Sequence, residues 1–174
     1  MNKLISLSLV TLLVFGCAQQ EAPDSFVKLG PDVFPDESYE RPPKVAFESG
    51  ALVIKPENMT SFYDAPGEAG YFAFGKDYGF AAMSFVMTET HPDGGPPLHT
   101  HSVEEAHVLL AGSMDYVIGE ERFSATAPYI ARVPANAPHT FTNSGDTPLN
   151  LIGVLSSNEP GYEVVGPNPL VGHK

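Results

Sequence analysis

The sequence predicts an all-β protein, one domain folded as an antiparallel barrel or sandwich, and three observations carry that prediction. Short apolar runs of five to seven residues recur through the second half, and each ends at Gly, Pro, Asn or Asp. Seventeen prolines and sixteen glycines punctuate the chain and favour turns over long helices. No segment after residue 17 sustains a helical period, and no internal repeat is present. With 174 residues, 43% hydrophobic and 17% charged, the chain is long enough for one ordinary core and too apolar for general disorder.

The first element is "MNKLISLSLVTLLVFGC". Lys3 precedes an apolar run from Leu4 to Phe15 that is too short to span a bilayer comfortably. Residues 1–16 therefore read as a signal peptide. Its end, "VFGC", resembles the lipobox of bacterial lipoproteins. That resemblance implies a lipidated Cys17 as the mature N-terminus, anchoring the protein in the bacterial cell envelope and facing the periplasm. Ala18 and Gln19 follow, without Asp at the second mature position, which favours the outer membrane by the same resemblance. The alternative, a free cysteine buried in an apolar strand, leaves the order of basic, apolar and small residues without an account. Cys17 is the sole cysteine, so the domain has no disulfide. Residues 1–16 carry Lys3 and no acidic residue. Without them eight basic residues face 21 acidic ones, and the formal charge moves from −12 to −13. Such a balance gives no nucleic-acid footprint, and membrane attachment must come from the lipid.

Residues 17–44 follow as an acidic, Pro-rich tether. From Ala18 to Lys44 they hold five prolines and six acidic residues, which exclude a helix of any length but leave room for a stretch pairing at a sheet edge. Residues 45–158 form the predicted domain. "KVAFESGALVIKP" holds two short apolar runs broken at Ser49-Gly50. Phe80 to Thr90, "FAAMSFVMTET", is the strongest strand, and Met83, Phe85 and Met87 make its large apolar face. Then come "AHVLL", "SMDYVIG", "RFSATA", "YIARV", "HTFTN" and "LNLIGVL". Residues 159–174 read as an extended tail.

The chemistry concentrates in "GGPPLHTHSVEEAHVLLAG". Three of six histidines, His99, His101 and His107, fall there within nine residues, with Glu104 and Glu105 between them. Residues two apart in a strand share a face, roughly 6–7 Å apart along the chain, so His99 and His101 can converge on one ion. Two partly exposed turn histidines would give the same spacing. His139 lies in "PANAPHTFTN", after Pro134 and before Asn143. Glu104 and His91 read as solvated turn residues, and His173 lies in the tail.

Together, "HTHSVEEAHVLLAG" and "PANAPHTFTN" resemble the paired motifs of the cupin superfamily, G-x5-H-x-H-x3-4-E-x6-G and G-x5-P-x-G-x2-H-x3-N. The resemblance implies a single-domain jelly roll with His99, His101, Glu105 and His139 as metal ligands. Gly112 closes the first motif, and Pro134 and Asn143 take the second motif's proline and final position. Pro128 and Asn136 stand where glycines are usual, and Asn tolerates the left-handed conformation best among the others. His107 falls where cupins often carry an aromatic residue. It serves either as a spacer facing the interior or as an acid or base beside the metal.

Three nitrogens and one carboxylate suit Fe, Mn, Ni, Co or Zn better than Mg or Ca. A divalent transition metal so held keeps about two positions open for a substrate if it is six-coordinate. The cavity is expected to be lined by His107, Phe141, Met83, Phe85 and Met87, although packing alone also accounts for the four apolar ones. No serine-hydrolase elbow, phosphate loop, dinucleotide fingerprint or catalytic thiol is present. The expected function is a metal-dependent cupin enzyme acting on a small oxygenated or carboxylated molecule, and the resemblance implies a dioxygenase (an oxidoreductase) first, with decarboxylase, lyase or isomerase as the other reaction types. The alternative is a lipid-anchored binding or sensing protein with a structural metal. The resemblance also implies a homodimer joined through sheet edges.

Overall fold

The computed structural model describes residues 26–171. The signal segment, Cys17 and His173 lie outside them. Twelve strands run in chain order: β1 (Tyr39–Arg41), β2 (Thr60–Ala65), β3 (Glu68–Ala73), β4 (Ser84–Thr90), β5 (Leu98–Thr100) and β6 (Glu105–Leu109), then β7 (Ser113–Ile118), β8 (Glu121–Thr126), β9 (Tyr129–Val133), β10 (His139–Asn143), β11 (Leu151–Leu155) and β12 (Glu163–Gly166). The α-helix among the described residues is the single turn Gly75–Tyr78. The all-β expectation therefore holds.

One sheet of seven strands has the order β1-β2-β3-β4-β11-β6-β9, and one of five the order β12-β5-β10-β7-β8. Pairing between strands is antiparallel in both. The inner faces meet in a jelly roll, because one buried cluster joins Leu109 and Leu151 of the larger sheet to Met114, Tyr116 and Phe141 of the smaller. Alternation does the sorting. On β6, Glu105, His107 and Leu109 are buried while Ala106 and Val108 are half-buried. Burial alternates in the same way along β11, with Leu151, Gly153 and Leu155 buried.

Four expectations need correction. In β4 the buried inner residues are Ser84, Val86, Thr88 and Thr90, so the large face of Met83, Phe85 and Met87 points outward. Met83 is 43% exposed and Phe85 packs on Phe80 at 5.0 Å between ring centroids. The cause is a cover on the sheet's outer side. Leu29 and Gly30 donate their N–H groups to Glu89 Oε2, and the Tyr71 hydroxyl donates to Leu29 O. With both faces covered, size no longer tells inside from outside.

The run at 45–55 makes no strand, and Leu52 and Val53 are exposed. The strand hairpin instead occupies 60–73, with its turn at Pro66-Gly67. Beyond residue 158 the chain does not trail away: Glu163–Gly166 pairs with β5. Finally, His91 is more than a solvated turn residue, since its Nε2 lies 2.8 Å from Glu89 Oε1 and its ring meets Phe34 edge-on. The expected edge pairing within the tether is present as β1, joined to β2.

Candidate metal centre

β5 and β10 run side by side with His99 opposite His139. β6 brings Glu105 and His107 from the facing sheet. His101 follows β5 directly, and its loop is tied down by the Asn136 N–H, which donates to His101 O at 2.7 Å. Asn136 has φ +61°, the left-handed turn that the second motif requires. Pro128, at the other non-glycine position, follows a cis peptide.

Each of three imidazoles is oriented by a backbone carbonyl. His99 Nδ1 donates to Pro97 O at 2.8 Å, His101 Nδ1 to Gly161 O at 2.5 Å and His139 Nδ1 to Ala137 O at 2.9 Å. A carbonyl only accepts, so these bonds fix the proton on Nδ1 and leave each Nε2 with a free lone pair in the neutral ring. Glu105 Oε2 lies 3.2 Å from His139 Nε2 and 3.5 Å from His101 Nε2. One donor atom from each of His99, His101, Glu105 and His139 lies within 4.8 Å of the others, and all four residues are buried. Adjacent ligands about 2.1 Å from one ion sit roughly 3 Å apart, close to the two Glu105 distances.

Charge bears on the same point. Burial, with His139 as the next contributor, pushes His99 down to about 3. Burial also lowers His101. For Glu105 burial acts upward, but His107, His139 and His101 together hold the carboxyl well below its usual range. Neutral imidazole lone pairs and an ionised carboxylate facing one another in a buried space call for a cation. The donor set fits a divalent metal.

His107 takes a different position from the other three. Its Nε2 lies 3.3 Å from Glu105 Oε1, the oxygen on the far side from His139, and its buried Nδ1 has no hydrogen-bond partner. Its ring packs edge-on to Phe141 at 5.5 Å between centroids. Glu105 also depends on Gly153 of β11. A Cβ there would lie 2.5 Å from Glu105 Oε1 and 2.4 Å from Val86 Cγ1, so only glycine lets the carboxylate keep its place. Glu104 stays outside, exposed and paired with Arg132.

The four donors border a cavity of about 430 Å³. His107 and Phe141 line it, whereas Met83, Phe85 and Met87 do not, as the reversed face of β4 requires. Among the lining residues that sequence reasoning missed, Asp64, Glu68 and Tyr162 carry polar groups close to the site. The Tyr162 ring lies 4.9 Å from that of His99 and 5.6 Å from that of His101, and its hydroxyl donates to Asp64 Oδ2 at 2.9 Å. Glu68 is buried and accepts from Thr90 Oγ1. Burial raises the Glu68 carboxyl well above its usual range and raises Asp64 less, the Tyr162 hydroxyl working against it. The hairpin's local signal in the sequence was its Pro66-Gly67 turn. Tyr162 had no comparable signal.

Residues 86–155 match the family model described as "Cupin domain", which supports the cupin superfamily. Among solved structures, the oxalate decarboxylase of Lactobacillus farciminis in its formate complex is similar at a TM-score of 0.57 and 19% identity. That alignment covers 62% of this chain and 34% of the other. A single-site mutant of the Bacillus subtilis oxalate decarboxylase gives 0.54 and 17%, covering 59% and 29%. A further structure of the Bacillus subtilis enzyme, titled for its Mn(II) centres, gives 0.54 and 17%, covering 59% and 30%. This chain thus spans about a third of the length of those proteins. None of the curated proteins matches the sequence. The likeness establishes the cupin-like jelly-roll fold.

Proposed function

We propose that this protein is an envelope-anchored, metal-dependent cupin enzyme acting on a small oxygenated molecule. One observation carries the reading: three Nδ1–carbonyl bonds aim His99, His101 and His139 at the point that Glu105 Oε2 faces, on the wall of a cavity of ligand size. The Mn(II) centres named for a similar fold are in keeping with it. A dication held there supplies Lewis-acid polarisation of substrate oxygen, or electrons where the metal is redox-active.

The chain's own residues do the rest. His107 Nε2 holds Glu105 Oε1 and so turns Oε2 toward the three imidazoles. His107 also lines the cavity and keeps Nδ1 free of partners, which makes it the group that exchanges a proton with substrate. Tyr162, stacked beside His99 and His101, walls the site. The anchor rests on Cys17 and the segment before it, and Cys17→Ser is expected to move the protein from the membrane to the soluble fraction.

Elemental analysis of protein purified without added metal tests the centre, and about one transition-metal ion per chain is expected. Oxygenated substrates are then screened under air and under argon. Loss of turnover in His107→Ala that persists at saturating metal supports the enzyme. Absence of turnover with every reconstituted metal, while a ligand still raises Tm, assigns a binding protein instead.

A further inference from the structure

Beyond the metal donors, the cavity lining has a composition of its own. Phe62, Phe72, Phe74 and Tyr162 supply aromatic surface, and Asp64, Glu68 and the exposed Glu40 supply carboxyl groups. No Lys or Arg lines the cavity among the described residues. Arg41, on β1 at the same edge, stacks over the Tyr39 ring at 4.0 Å and lies outside the lining. Asp64 has one oxygen engaged by Tyr162, while its Oδ1 is buried without a hydrogen-bond partner.

These facts decide between substrate classes that the metal donors alone leave equal. A dication bound with one carboxylate carries a net charge of about +1, enough to balance one further anionic group. Asp64 already stands in the cavity, and no cation is present to neutralise a second carboxylate arriving with a substrate. An unpaired charge in such a space is unfavourable. An uncharged aromatic ring meets the opposite conditions: it finds flat surface to stack on and brings no charge to set beside Asp64.

We infer that this cavity takes an aromatic ligand bearing hydroxyl groups and no carboxylate. The inference deepens the metal-enzyme reading by naming the substrate class, and it rests on the same site. Hydroxyl oxygens face the His99, His101, Glu105 and His139 end. The ring lies between Tyr162 and the phenylalanines, along the wall to which Asp64 belongs.

The test uses the purified full-length protein, Mn(II)-loaded and metal-free, titrated with catechol, benzoate and oxalate by calorimetry and followed by Tm. Catechol is expected to bind about tenfold or more tightly than either carboxylate in the loaded protein, the size of one partly screened charge contact. Asp64→Asn and, separately, Glu68→Gln are isosteric. The first is expected to strengthen oxalate, narrowing the gap severalfold, and the second leaves the ranking unchanged. Oxalate or benzoate binding as tightly as catechol overturns the inference, as does failure of all three to bind. Should the protein take up no metal, the metal-enzyme reading falls by itself. The ligand class is then decided in the metal-free protein, where catechol alone must raise Tm.

Discussion

The two ends of this barrel are made from the same strands and do opposite work. β6 carries Glu105 and His107 at one end and Leu109 two residues further on. β10 carries His139 at the first end, Phe141 in the middle and Asn143 at the other. At the closed end Leu109, Met114, Tyr116, Leu149 and Leu151 make an apolar cluster, with Leu151 at its border with the cavity. Asn143 seals it by donating to Thr90 O and Thr147 O. At the open end the same inward parity collects imidazoles and carboxyl groups around a cavity. Burial is equally deep at both, so depth does not mark function. What separates the ends is whether buried polar atoms have finished pairing. Asn143 is satisfied within the chain, whereas three Nε2 atoms and Glu105 Oε2 face one another as acceptors.

Substitutions at the two ends should therefore separate metal retention from stability. His139→Ala gives the largest effect: it removes one of four donors, and metal is lost on dialysis, read by elemental analysis. The closed end survives, so the circular dichroism spectrum and cooperative unfolding of the metal-free protein are retained. Loss of folding would show instead that the two ends are one unit. Leu109→Ala should do the reverse, costing about 2–5 kcal/mol in denaturant unfolding while metal content per folded molecule stays constant. Leu109 is fully buried, with side chains of both sheets around it.

Gly153→Ala sharpens the boundary, because its added Cβ meets Glu105 Oε1. Metal affinity should fall about 10–100-fold, as for other groups that orient a ligand, measured by competition with a chelator. Glu68→Gln gives the smallest effect, and one that depends on pH. Its carboxyl is raised in the folded state, so the native protein binds the proton more tightly than the unfolded chain does. Its contribution is fully present below the unfolded value of about 4.3 and is lost as pH rises through the folded value. The variant should then gain stability over wild type, of order 1 kcal/mol, only above that range. An equal gain at all pH values would mean that Glu68 does not change protonation on unfolding.

Much of the barrel was legible because local rules coincide with the global fold. From "SMDYVIG" to "LNLIGVL" each apolar run ends at a turn residue, and strands fall at 113–118, 121–126, 129–133, 139–143 and 151–155. The hairpin at 60–73 was hidden because its inner face bears Phe62, Asp64, Glu68, Gly70 and Phe72, a mixture that blurs polar and apolar alternation. β4 misled for a related reason: its outer side is covered by Leu29, Gly30 and Phe80, and its inner side opens on a cavity. The "large side in" rule assumes one wet face and one packed core, and neither holds there.

By itself, the order of residues determined the all-β class, most strands of the second half, and the spacing of His99, His101, Glu105 and His139. These follow from a period of two along single strands and from turn residues, which act over a few positions. Only the tertiary structure decided that Gly153 makes room for Glu105, that His107 holds the outer carboxylate oxygen, and that Asp64, Glu68 and Tyr162 join the cavity. Those contacts link segments 48 to 98 residues apart, where no local periodicity connects one partner to the other, save for the His107–Glu105 pair. For that pair, two residues apart on β6, the spacing told only that both face inward, and the packed barrel set which nitrogen meets which oxygen.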